Sequence, residues 1–246
     1  MKINGKLLAK PAIMLFTSIA LLMSFWACSL GDTIYGSGNI VSEVHDLSGF
    51  DAIRAGGASD VQVTLGDNWH VELITDDNLH EYVELFIENR TLRIKNRDMV
   101  NLRPSDKLTV RVVMPAINEI GASGATTITI DSEIDQSDLS VSASGSSDVH
   151  LQVNLDKLDV RCSGSSDIYI SGYSRFAKVT ASGSSDFKGK AFTCEVAEVK
   201  LSGSSDMHAI IREEVSGNLS GSSDLHISGS PVVKVSTSGS SGIRNF

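Results

Sequence analysis

The chain has 246 residues, 21% of them charged and 41% hydrophobic, values near globular averages that exclude a wholly disordered chain and a multi-span membrane protein. Asp and Glu outnumber Lys and Arg by 30 to 21, so the surface repels phosphate backbones and no nucleic-acid partner is expected. Aromatic residues are 6% while glycine numbers 21, which favours repeated small-residue turns over a core of large rings.

Lys2, Lys6 and Lys10 precede an apolar run from Pro11 to Ala27. This charged-then-apolar plan is that of a secretory signal over residues 1–27, and the run is shorter than the ~20 residues that span a bilayer comfortably. Ala27-Cys28 at its end resembles a bacterial lipoprotein processing site, although Phe25 and Trp26 depart from the usual preference. On this reading Cys28 is the lipidated first residue and 28–39 a tether. Acyl chains contribute ~0.8 kcal/mol per buried CH₂, so a multiply acylated Cys28 holds the protein on a membrane nearly permanently. Simple cleavage after Ala27, leaving a free thiol, is the alternative.

Residues 40–115 are strand-rich but irregular. Apolar residues alternate at Val71/Leu73, Val83/Leu85/Ile87, Leu92/Ile94 and Leu108/Val110/Val112, and Asp76 to Tyr82 reads as a short helical turn. Ile53 to Val63 looks like a drifted copy of the repeat that follows. The segment is read as broad coils continuous with that repeat and capping one end.

From 116 to 246 the chain is periodic. Ser-Gly-Ser-Ser-Asp recurs at 144–148, 163–167, 182–186, 202–206 and 220–224, with a copy at 238–242 that ends in Gly and a degenerate one at 123–127. Successive turn glycines are 18–21 residues apart. Period-two apolar residues flank each copy, so a unit is a strand, a Ser-Gly turn, a strand and a second turn. Such a unit cannot bury its own apolar face. Ala122, Ala143, Cys162, Ala181, Leu201, Leu219 and Thr237 form a recurrent column, as stacked coils require and a meander does not. The predicted fold is all-β, a single-stranded parallel β-helix. Export implies an oxidising compartment, yet Cys162 in the column and Cys194 in a variable turn read as buried thiols rather than a disulfide.

Gly36-Ser37-Gly38-Asn39, Phe50-Asp51-Ala52-Ile53 and the serial Ser-Gly turns together resemble the auto-transporter adhesin head GIN domain family, over roughly residues 36–243. The resemblance implies a pectin-lyase-like β-helix, export and a role in adhesion, with no catalytic residues to carry over. Neither a heptad stalk nor a membrane-barrel segment is recognisable, so the resemblance does not extend to self-transport.

Two columns carry the candidate chemistry. Asp148, Asp167, Asp186, Asp206 and Asp224 stack, and are expected to hydrogen-bond turn N–H groups; a row of calcium sites is the sharper alternative. Two residues further on, His150, Tyr169, Lys188, His208 and His226, with Thr129 before and Arg244 after, face outward and form a candidate binding face for sugar rings or acidic glycans. His208 and His226 with Asp206 and Asp224 offer zinc-type ligands, but residues i and i+2 on a strand lie ~6.7 Å apart, too far for all four to reach one ion with ease. No nucleophile elbow or phosphate loop is present. The chain therefore reads as an envelope protein of the outer membrane that binds a surface polysaccharide or an envelope protein without catalysis or cofactor. A structural rod and a lyase-like enzyme are the alternatives. Oligomeric state and the side of the membrane it faces are not legible.

Overall fold

The computed structural model describes residues 31–246; the signal segment 1–27 and Cys28 lie outside them. The chain runs through β1 (Asp32–Tyr35), β2 (Ile40–His45), β3 (Ala52–Ala55), β4 (Asp60–Leu65) and β5 (His70–Asp76) to a 3-10 turn over Asp77–Tyr82. The hairpin β6 (Val83–Glu88) and β7 (Thr91–Asn96) follows, then β8 (Val100–Arg103), β9 (Thr109–Met114) and β10 (Glu119–Ala122). The periodic half consists of β11 (Thr127–Ala143), β12 (Asp148–Cys162), β13 (Asp167–Ala181), β14 (Asp186–Leu201), β15 (Met207–Leu219), β16 (Asp224–Ser228), β17 (Val232–Thr237) and β18 (Gly242–Asn245).

Alternation gives the strands from β11 to β16 a dry and a wet face, while β17 and β18 on the last coil bury no residue fully. β12 buries Val149, Leu151, Val153, Leu155, Leu158 and Val160 and turns the residues between them outward. Each repeat pairs in parallel with the next, so that Val141, Val160, Val179 and Val199 lie side by side in the core. The small-residue column from Ala122 to Thr237 is likewise one continuous ladder. This is the predicted parallel β-solenoid.

Each Ser-Gly-Ser-Ser-Asp segment is a sharp corner with a distinct task for every residue. In the copy at 144–148, Gly145 has φ +76° and a Cβ there would lie 2.7 Å from the Gly124 carbonyl oxygen. Both the left-handed turn and the close stacking demand glycine. The Ser146 N–H donates to that same carbonyl at 2.7 Å. Ser147 is fully buried; its Oγ donates to the Ser144 carbonyl at 2.9 Å and accepts from the Ser144 N–H at 3.1 Å. The second turn expected in each repeat is not a break from β11 to β15, and becomes one only at 229–231, between β16 and β17. β12 runs unbroken from Asp148 to Cys162 because the in-register ladder carries hydrogen bonding around that bend.

Cys194, expected in a variable turn, lies instead inside β14 and is fully buried. Cys162 and Cys194 are both free thiols, as expected. Burial pushes their pKa values up to about 11 and about 12, which keeps them protonated and unreactive.

The N-terminal half departs from simple parallel coils. β3 and β4 do form a coil, and Gly57 stacks directly against Gly124, so the drifted copy is a true repeat. Its neighbour on the other side comes later in the chain: β3 lies between β7 and β10, and β4 between β9 and β11. Beyond this coil the parallel rule fails, since β2–β5, β5–β9 and β6–β7 pair antiparallel. These strands close one end of the stack, where a parallel edge would otherwise expose unpaired N–H and C=O groups.

The described part of the stretch read as a tether is also part of the folded body. β1 pairs with β8. The Gly36–Asn39 segment lies over the 3-10 turn, where buried Asp76 accepts from the Gly38 N–H at 2.7 Å and from Ser105 through its N–H at 2.9 Å and its Oγ at 2.6 Å. Ser37 and Asn39 donate to Asp77 beside it.

Candidate binding face

The strands that follow each Ser-Gly corner place the outward column. Thr129, His150, Tyr169, Lys188, His208, His226 and Arg244 pair each with the next, coil by coil. All are half-buried except the exposed Arg244. The structure thus brings together the five residues singled out in the sequence, over four coil steps or roughly 19 Å.

The column divides into two clusters. In the first, the His150 and Tyr169 rings stack with centroids 4.4 Å apart and planes 4° from parallel. Lys188 Nζ lies 4.7 Å from the Tyr169 ring centroid, donates to the Tyr169 hydroxyl at 3.1 Å and pairs with Asp167. Partial burial alone would lower the Lys188 pKa, but the hydrogen bonds to Asp167 and Tyr169 outweigh it and hold it well above the usual value. In the second, the His208 and His226 rings stack at 4.2 Å and 1°, and the Phe246 ring meets His208 edge-on at 5.6 Å. Burial, the His226 ring and Lys190 together depress the His208 pKa, against the opposing pull of Asp206 and Asp186.

Lys190 escaped the sequence reading. It lines a shallow 370 Å³ depression with His150, Tyr169, Ser171 and Lys188. A register shift between Tyr169 and Ser171 makes room for it. The signal was in the spacing: the coil from Gly183 to Gly203 is one residue longer than the one before it.

The aspartate column is also assembled, with Asp148, Asp167 and Asp186 paired along one ladder. Asp186 and Asp206 accept the backbone N–H of Asp206 and Asp224, each at 3.0 Å. Asp167 pairs with Lys188, and Asp224 with Arg244 at 3.0 Å. Burial, with Asp167 and Asp206 adding like charge, raises the Asp186 pKa above the usual carboxylate value. Donor atoms of Asp206, Asp224 and His226 approach within 4.8 Å of one another, without His208. Asp206 Oδ1 is taken by the Asp224 amide and Asp224 Oδ2 by Arg244, so at most three donors remain, one short of the four of a structural zinc site.

The sequence profile of the family described as "Putative auto-transporter adhesin, head GIN domain" matches residues 49–231. The chain belongs to this family. Its head GIN domain therefore takes in the turn column from Asp148 to Asp224 and the outward column from His150 to His226. Among solved structures, a "putative adhesin" of Bacteroides fragilis superposes with a TM-score of 0.81 at 20% identity, over 87% of this chain and 100% of its own. A "putative lipid binding protein" of Parabacteroides distasonis gives 0.74 at 21% identity, over 87% and 100%. A "putative adhesin" of Parabacteroides merdae gives 0.71 at 20%, over 88% and 100%. At these identities the likeness shows the fold alone. No curated protein matches the chain in sequence.

Proposed function

We propose that this head GIN protein is an exported, non-catalytic adhesin, anchored to the outer membrane through a lipidated Cys28, that grips a surface polysaccharide along its outward column. The observation that supports this reading is the in-register run His150–Tyr169–Lys188–His208–His226 in a chain with few aromatic residues. The rings cover one another's faces, so the column offers their polar edges beside a fixed ammonium, in steps of ~4.8 Å, and these suit a polymer of hydroxylated rings through hydrogen bonds and edge contacts. Each contact is weak, so display of many copies on a cell raises the avidity.

The test converts Tyr169, His208 and His226 to Ser together. These positions lie on the outward face, so the variant folds, and its retention on polysaccharide-coated surfaces or on cells falls at least about tenfold as each lost ring-edge contact is multiplied over many copies. Undiminished retention at both pH 5.5 and pH 7.5 overturns the proposal. Binding to an anionic polymer strengthens only modestly between these values, because the depressed His208 pKa delays its charging. The anchor is tested separately: Cys28→Ala releases the protein from membranes, and a variant that stays with them after high-salt washing removes the lipoprotein reading.

A further inference from the structure

A second cleft lies on a different part of the surface, where the strands preceding the Ser-Gly corners meet the antiparallel end of the stack. Its volume is 430 Å³. Across five neighbouring strands, β6, β7, β3, β10 and β11, the residues Phe86, Arg93, Arg54, Gly121 and Ser142 pair in register as one row. The two arginines therefore emerge side by side from adjacent strands, each already paired with a glutamate. Lys95, paired with Glu84 at 3.0 Å and Asp98 at 3.5 Å, and Glu88 also line the cleft wall.

Their present partners leave capacity unused. Arg54 pairs with Glu119, and one Arg93 Nη pairs with Glu88 at 2.9 Å. Arg93 Nε is buried and has no hydrogen-bond partner among the described residues. The other Arg93 Nη and the Arg54 Nη1 take no part in the glutamate pairs among the described residues and remain able to donate to a ligand. Phe86 stands at one end of the row, about one-third exposed at 36%. At the other end the floor is low because Gly121 has no side chain: a Cβ there would press on Arg54 Cγ at 2.9 Å. Ser142 and Ser123 continue that floor with hydroxyl groups.

We propose that this cleft binds a hexuronate residue of an acidic polysaccharide. The sugar carboxylate bridges the Arg54 and Arg93 guanidinium groups, whose planar forks match it. The pyranose ring packs on Phe86, and its hydroxyls meet the serine floor. A carboxylate accepts from both guanidinium groups through charge-assisted hydrogen bonds, which are stronger than those a neutral sugar hydroxyl makes. The site does not depend on the outward column.

The experiment is calorimetry or ligand-observed NMR with full-length protein, using trigalacturonate and its fully methyl-esterified counterpart as probes. The acid binds, the ester does not, and affinity falls as salt rises. Arg93→Gln and Phe86→Ala each weaken binding about tenfold or more. Gly121→Ser, which fills the floor, does the same while leaving the charges in place. The triple variant of the outward column binds trigalacturonate as well as wild type. Equal binding of acid and ester, no binding of the acid at millimolar concentration, or unchanged affinity in all three cleft variants with unaltered melting temperatures overturns the proposal. Loss in the column variant but not in the cleft variants assigns the ligand to the column instead.

Discussion

The backbone amide of Asp224 donates a 3.0 Å hydrogen bond to the carboxylate of Asp206, one coil away, and the Asp206 amide does the same to Asp186. A column that looks like stacked negative charge is thus partly a ladder in which a side chain receives the next coil's main chain. The repulsion that persists falls on Asp186, whose pKa is raised by burial and by Asp167 and Asp206. A raised carboxylate pKa means that the folded state holds the proton more tightly than the unfolded chain. The cost of the charge is therefore absent below about 3.8 and complete above the folded value. Asp186→Asn keeps an acceptor for the Asp206 amide and removes the charge. It is expected to raise the melting temperature at pH 7, with the gain shrinking to nothing as pH falls toward 3.5. A gain that is independent of pH would show that charge is not the cause.

Gly164 sits in the same left-handed corner as its equivalents, at φ +79°, with a hypothetical Cβ 2.6 Å from the Gly145 carbonyl oxygen. Gly164→Ala is expected to lower stability by about 2 kcal/mol or more, from backbone strain and from prying two coils apart. Ser165→Ala, in the next and exposed position, changes stability by less than about 0.5 kcal/mol. Chemical denaturation of the two variants side by side checks the contrast.

Val179 is fully buried between Val160 and Val199. Val179→Ala removes two methyl groups from a packed ladder and costs about 2 kcal/mol. Val179→Asp buries a carboxylate with no partner and costs at least about 3 kcal/mol. Soluble Val179→Asp protein with an unchanged thermal midpoint would contradict the inward assignment.

Asp76 joins three parts of the chain, through Gly38, Ser105 and its own strand. Its pKa is held below the usual value, chiefly by the Ser105 hydroxyl and against the effect of burial. A lowered carboxylate pKa contributes stability that is present above about 3.8 and is lost as pH falls through the folded value. Asp76→Ala is expected to free residues 32–39, seen as faster amide exchange in β1 and at Gly38 at pH 7. Acidification through the lowered folded value brings wild type toward the same exchange pattern.

The solenoid and its outward face were legible because two signals agreed. Alternation specified which residues point inward, and the recurring small residues from Ala122 to Thr237 specified register; a slip of one residue would put Val179 in water. The fourth residue of the turn was not legible as a buried group, since a serine suits an exposed corner equally well. Only the Ser144–Ser147 geometry shows that its hydroxyl replaces a solvent contact. The cleft was beyond reach for a different reason. Phe86, Arg93, Arg54 and Gly121 come from four segments whose adjacency depends on a coil stacking out of sequence order. No local pattern records which later strand will close against β3.

That inversion of order sets a condition on how the protein can assemble as its chain emerges. The turn of chain from β3 to β4 appears early, yet both of its flanking ladders are supplied by residues 91–94 and 109–130. Until those have emerged, β3 and β4 have none of their partners, although β2 can already pair with β5, and Val61 and Val63 stand on an unprotected, adhesive edge. A chain arrested near residue 90 is therefore a substrate for holding factors and proteases. Once residue 143 has passed, a closed seed exists, and each further repeat adds one interface to a surface already waiting for it. Late truncations should trim this protein in graded steps; early arrests should destroy it outright.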